Sequence, residues 1–325
     1  RVSQYATSRI RLLLPDDDRT YMIMGNSIDF ATRMYIDGEW VVDVGRPGDT
    51  KASTIPNTRE LQLSVRAEDG VIEIVQQGSN FVHRSGGGHA RYHIGYPEVL
   101  RTSYRYDMSL VVMGCFLALF LVHLTLFFIL PSYRANLYFS LFCLTWFFRT
   151  GVTGATAFST LLPGLSWALK FRIEYLSLPL TVLLVILMVY RIFPGVLKER
   201  FRDIVFVGTA IYVILFLFCD TVFMSWALLS CYVLEILGIA LIVLCFIKRF
   251  RKPDMAQVVS LWGVAVFFYG GIRDTFYYNG ILLPPLISTE FSQITMMIFV
   301  FLQPQNIDLC SSCIRHATYF HKKEN

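Results

Sequence analysis

The chain has 325 residues, of which 54% are hydrophobic and only 16% charged, and its mean hydropathy is +0.51. Such a composition excludes an ordinary water-soluble protein of two domains, the reading that length alone would give. The net charge of +5 does not point to nucleic acid either: residues 1–105 carry 13 basic and 13 acidic residues and the remainder 16 and 11, so the excess sits in short loops between apolar segments and not on one face of a folded domain.

In chain order, the start Arg1-Val2-Ser3-Gln4 has neither an initiator Met nor a signal-peptide pattern, so a preceding piece is expected to have been removed. Ser8–Leu14, Tyr21–Met24, Arg33–Ile36, Leu61–Val65 and Val71–Val75 are short alternating or β-branched runs and read as strands. Asp37-Gly38 between Tyr35-Ile36 and Trp40-Val41-Val42 is a hairpin signal, because a type I′ turn needs positive φ at both central positions. Frequent turns without a helical period predict a β-sandwich over residues 1–105. All seven cysteines follow residue 107, so this domain has no disulfide framework and its core must hold it unaided.

From Met108 the apolar segments are 108–130, 135–158, 167–193, 204–223, 226–247, 256–272 and 286–303. Each supplies about 20 residues, the number needed to cross about 30 Å of hydrocarbon. The expectation is a multi-domain membrane protein with a seven-helix transmembrane bundle over 106–303 and a short tail over 304–325. Arg134, then Arg191, Lys198, Arg200 and Arg202, then Lys248, Arg249, Arg251 and Lys252, then Arg315, Lys322 and Lys323 all fall on one side if seven spans alternate. The positive-inside rule makes that side cytoplasmic, with the β domain outside the inner (plasma) membrane and the tail within. The tail has no room for an enzymatic domain.

Several stretches resemble the bacterial seven-transmembrane receptors with diverse intracellular signalling modules. Ser79-Asn80-Phe81-Val82-His83-Arg84-Ser85-Gly86-Gly87 is similar to the end of the galactose-binding-like jelly roll that some members carry, and Tyr35-Ile36-Asp37-Gly38-Glu39 is similar to its hairpin. Tyr138–Arg149, Arg172-Ile173-Glu174-Tyr175-Leu176 and Arg273–Ile281 look like signatures of helices 2, 3 and 6. The resemblance implies a sensor whose outer domain meets a small molecule or carbohydrate and whose helices pass the signal to a histidine kinase, cyclase or similar cytoplasmic module. The family usually continues into an output domain, whereas here Pro304-Gln305-Asn306 follows; the output is expected on a following segment or another polypeptide. Membrane lipids and the signalling module are the implied partners, a homodimer is an open option, and no cofactor is called for. A transporter or channel with an accessory binding domain is the alternative, though no pair of Gly/Pro-interrupted spans or internal repeat supports it.

Ionisable residues inside spans are functional candidates by default. Glu235 falls near a span's midplane and reads either as a hydrogen-bonded structural carboxyl or as a signalling group. Arg149, Arg172, Glu174, Arg273, Asp274 and Glu290 fall in the outer halves of their spans, where they could bind a ligand, dock the β domain or form structural pairs such as Arg149 with Glu174. Asn80, His83 and Arg84 lie in a Gly-flanked loop that could bind a ligand or brace the last strand and linker. No metal site is expected: His123 is alone within its span, and Cys310-Ser311-Ser312-Cys313 lacks a second ligand pair.

Overall fold

The computed structural model describes residues 4–249 except 16–18, 29, 67–68, 85–91, 104–105, 154–156, 193–194 and 196, together with 258, 262–263, 265–266 and 269–273. The chain divides into two compact units, one made of Arg1–Val122, Ser140–Thr181 and Gly208–Cys231, the other of His123–Phe139, Val182–Val207 and Tyr232–Asn325.

Among the described residues the first unit opens with seven strands: β1 (Tyr5–Leu13), β2 (Thr20–Ile28), β3 (Ala31–Ile36), β4 (Glu39–Val44), β5 (Arg59–Arg66), β6 (Val71–Ser79) and β7 (Tyr92–Gly95). They form two antiparallel sheets, ordered β1-β6-β3-β4 and β5-β2-β7. Period-2 alternation sends Ile72 and Ile74 of β6 inward to meet Tyr21, Ile23, Met34, Val44, Leu61 and Val65 in one apolar cluster drawn from both sheets. Glu73, between the two isoleucines, faces outward and binds Arg9 and Arg11 across the β1–β6 ladder at 2.5 and 2.9 Å. The expected hairpin joins β3 to β4, with Asp37 and Gly38 at φ of 50° and 84°, as a type I′ turn requires.

Two elements were not legible. β7 is only four residues long, a run too brief to register as alternation, and it pairs with Met22–Gly25 of β2. Helix α1 (Pro97–Ser103) occupies what reads as strand-to-membrane linker; its proline opens the helix, where a missing N–H costs nothing.

The remaining helices are α2 (Tyr106–Ile129), α3 (Arg134–Val152), α4 (Ala157–Leu161), α5 (Trp167–Ile192), α6 (Glu199–Phe218) and α7 (Thr221–Arg249). Four segments among the described residues are long and apolar enough to cross a membrane: Ser109–Ile129, Trp167–Arg191, Glu199–Phe218 and Thr221–Gly238. Four boundaries differ from expectation by five residues or more. The second apolar segment stops at Val152, and Phe158 belongs to the short α4. The fourth starts earlier, at Glu199, and ends at Phe218; the fifth starts at Thr221. Asp220 explains the last two, since it stands between the helices as the residue before α7 and its carbonyl takes the Met224 N–H at 3.0 Å, an N-cap arrangement within an otherwise apolar run. Of the expected span 256–272, the described residues are helical; the span 286–303 and the tail 304–325 lie outside the described residues.

Within the first unit, Phe171 and Tyr175 of α5, Phe216 of α6, and Met224 and Cys231 of α7 form one buried cluster. In the second, His123 Nδ1 meets Asn136 Oδ1 at 3.1 Å and its ring packs edge-on against Phe139, so this lone span histidine is a packed one. Tyr190 Oη donates to Glu199 at 3.2 Å, and Arg202 lies over the Tyr190 ring.

Candidate functional site: a clasp between the β region and three helix ends

Two loops of the β region reach the helices, and one buried serine ties them together. Ser79, the last residue of β6, accepts the Gly48 N–H at 3.1 Å and lies 3.2 Å from Thr54 Oγ1. It therefore fixes the 48–54 loop to the segment that leaves β6. That loop is further closed by Thr50 and Ser53, whose side chains bond each other, and by Thr54, whose hydroxyl donates to the Thr50 carbonyl at 2.8 Å. The other loop turns on Asn80: its N–H donates to the Gln4 carbonyl, and its side-chain oxygen accepts the N–H of Val82 and of His83. This Asx-type turn presents the next two residues outward.

Those two residues, with Lys51, grip the helices. His83 Nε2 lies 3.1 Å from the Tyr175 hydroxyl on α5. The Arg84 N–H donates to Ser225 Oγ on α7 at 2.9 Å, and the Arg84 guanidinium lies 5.9 Å from the centroid of the Trp226 ring, within reach of a cation–π attraction. Lys51 Nζ donates to Asp220 at 2.6 Å in the turn between α6 and α7. Lys51 holds the Asp220 carboxyl below its ordinary value, helped by the Thr221 backbone N–H. Burial, then the neighbouring Arg84 charge, pushes the His83 imidazole from its usual 6.5 down to about 4, so His83 is neutral at pH 7.

The helix side is braced by arginines. Arg172, one turn before Tyr175 on α5, donates to the carbonyls of Phe216, Leu217 and Cys219. The last carbonyls of a helix have no intrahelical partner and lie at its negative end; Arg172 satisfies them and thereby fixes the turn that carries Asp220. Tyr175 is stacked on Phe171 with ring centroids 4.2 Å apart. Pro179, inside α5, cannot donate to the Tyr175 carbonyl one turn earlier. Around this interruption Ser177 donates to the Glu174 carbonyl and Thr181 to the Ser177 carbonyl. Arg149 of α3 lies over Trp146 and donates to the Glu174 carbonyl and to Ser177 Oγ, each at 2.9 Å. The Arg149–Glu174 contact is thus made through the main-chain oxygen of Glu174.

Of the residues singled out from sequence, Arg149, Arg172, Glu174, Asn80, His83 and Arg84 all belong to the first unit, with the three loop residues at or beside the helix ends. Glu235 and Arg273 belong to the second. Glu235 stands at the midpoint of the 29-residue α7, and its carboxylate lies so close to Gly271 that a β-carbon there would sit 2.7 Å from Oε1. Arg273 is buried. Asp274 and Glu290 lie outside the described residues. Lys51, Asp220, Ser225 and Trp226 escaped the sequence reading, as did Lys170, which is buried and donates to Ser159 at 3.0 Å. Asp220 alone had a signal, an acid followed by Thr inside an apolar run. Among the described residues no three His, Cys, Asp or Glu side chains gather as a metal site.

An antiparallel β region held on membrane-crossing helices, with its contacts concentrated at helix ends, defines a membrane protein of the receptor type. Residues 105–304 match the family described as 7TM diverse intracellular signalling, and the chain belongs to that family, whose members carry a membrane sensory domain linked to intracellular signalling. No curated protein and no solved structure matches the chain.

Proposed function

We propose that the chain is the sensory module of a bacterial transmembrane receptor, in which the β region, a jelly-roll-like sandwich, receives a small molecule or carbohydrate outside the inner membrane. Seven helices carry the signal, and the output is a cytoplasmic module such as a histidine kinase or cyclase that residues 1–325 do not include. The clasp carries this reading. His83, Arg84 and Lys51 touch α5, α7 and the α6–α7 turn, and Arg172 links α5 to the end of α6, so a movement of the two loops is delivered to three helices together. The helices' other ends bear Arg191, Arg200, Arg202, Lys248 and Arg249, the basic bias of a cytoplasmic face.

A ligand that prefers one arrangement of the clasp shifts the population of helix states by its differential affinity. In the receptor with its output module attached, His83→Ala combined with Lys51→Ala is expected to change basal output and to blunt the response to ligand. Unchanged output and response, with the protein present in the membrane at normal levels, would overturn the proposal.

A further inference from the structure

We propose that the outer face of the sheet β1-β6-β3-β4 is a binding site for a neutral carbohydrate, centred on Trp40 of β4; this rests on the receptor reading above and narrows its ligand to one class and one place. Trp40 is 63% exposed, and a bulge puts it there. Val44 of β4 is buried in the apolar cluster and Val42 packs against it. Strict alternation would send Trp40 inward with them. The register between β3 and β4 shifts, however: Met34 pairs with Val42 and Tyr35 with Trp40, which leaves Val41 as an extra residue. A bulge of this kind re-aims the side chain beyond it. The Trp40 indole N–H consequently donates to Asp43 Oδ1 at 3.0 Å, and Asp43 also takes Arg33 in a two-pronged pair at 2.8 and 2.7 Å.

Strand pairing lays these groups out in two neighbouring rows, Trp40 beside Tyr35 and Val75 in one, Asp43 beside Arg33 and Gln77 in the other. A largely apolar row with an aromatic platform therefore runs beside a row of planar polar side chains. A pyranose has the matching form, with C–H groups on one face to lie on the indole and hydroxyls around its rim for the carboxylate, guanidinium and carboxamide. Asp43 accepts three of the roughly four hydrogen bonds that a carboxylate can take, so a ligand hydroxyl finds an acceptor held in place. The charges on this face are paired among themselves, Arg33 with Asp43 and Arg9 and Arg11 with Glu73, which favours an uncharged ligand over an ion. Tryptophan also gathers at membrane surfaces, but the Trp40 row crosses β6 at Val75, four residues and so about 14 Å from Ser79, the point where the loops that meet the helices are tied together. From Trp40 the chain runs down β4 and through the Arg46–Ile55 bridge into the loop whose Lys51 holds Asp220. A sugar that shifts β4 is thus felt at the α6–α7 turn.

The full chain in lipid nanodiscs, labelled with 5-fluorotryptophan, tests the site against the methyl glycosides of glucose, galactose, mannose and N-acetylglucosamine and their tetrasaccharides, with the Trp40 fluorine resonance assigned by its loss in Trp40→Phe. At least one of these sugars is expected to move that resonance saturably with a dissociation constant of about 1 mM or tighter. Saturation-transfer NMR of the same sugar then compares variants: Trp40→Ala is expected to weaken binding about tenfold or more, and Asp43→Asn, which keeps an acceptor for the indole and weakens the Arg33 fork, several-fold. Trp40 lies outside the core, so its variant should keep the β circular dichroism of the parent. A Trp40 resonance unmoved by every sugar at concentrations to about 10 mM, sugar binding equal in Trp40→Ala, binding of glucuronate or glucosamine in place of the neutral sugars, or a resonance that moves only with protein concentration, the mark of contact between copies, would each overturn the site. None of these results touches the receptor reading, which stands or falls on the output of the His83 and Lys51 variants.

Discussion

The β region and the helices use the same apolar residue types under opposite rules. In the β region Ile23, Met34 and Ile72 are fully enclosed between two sheets, and the side chains between them along the strands face outward as arginine and glutamate. In α6, by contrast, Ile204, Phe206, Val207, Ile211, Ile214 and Phe218 are all exposed on the protein's own surface, and only the row containing Val205, Thr209 and Phe216 is buried. Water drives the first arrangement; hydrocarbon permits the second, because lipid tails are as apolar as the side chains that meet them. Stability of the β region is therefore set by enclosure, and that of the helices by small contact seams, capped ends and satisfied polar groups.

The largest expected effects separate the two rules. Phe216→Ala removes a fully buried ring from the α5–α6–α7 cluster and is expected to cost about 3–5 kcal/mol, and Ile72→Ala about 2–5 kcal/mol in the β region, each measured by denaturant titration of the chain in bicelles. Ile211→Ala, on an exposed face of α6, is expected to stay within about 0.5 kcal/mol. A loss of several kcal/mol at Ile211 would show that this face packs on protein and not on lipid.

Next in size is Arg172→Leu, which leaves carbonyls at the end of α6 without their donor. The penalty for an unsatisfied buried acceptor is about 1–3 kcal/mol, and the loss should appear as faster amide exchange in the α6–α7 turn. Lys51→Ala sits at the small end. Its pair with Asp220 is more than half exposed on the lysine side, so about 0–1 kcal/mol is expected, falling further in high salt; a salt-insensitive loss would mean the pair is shielded. The proposed orientation is checked by cysteine labelling: Gly87→Cys should react with an external membrane-impermeant reagent and Arg251→Cys should not, and the reverse pattern would invert the topology.

How much of this was legible in sequence follows from the same contrast. Period-2 runs at Leu61–Val65 and Val71–Val75 and the Asp37-Gly38 turn are local signals, and each strand stands where its pattern put it. The apolar segments were equally plain, but their ends were not, because hydropathy does not register Asp220 as an N-cap or the stop of α3 at Val152. Arg84, Arg149 and Arg172 were visible as candidates, whereas Lys51, Asp220 and the partners of the arginines were not: Arg149 and Arg172 are satisfied by main-chain carbonyls, and Arg84 docks through its own N–H on Ser225. Backbone acceptors carry no residue-type signature, so a reading that pairs opposite charges looks for Glu174's carboxylate where the structure uses its carbonyl.

The central claim is that His83 of the β region and Tyr175 of α5 are energetically coupled. A double-mutant cycle of His83→Ala and Tyr175→Phe, measured on the full chain in bicelles at pH 7.5, tests it most directly. A coupling energy of about 0.5 kcal/mol or more is expected for residues in contact. Effects that simply add at pH 7.5, within about 0.3 kcal/mol, would contradict the clasp.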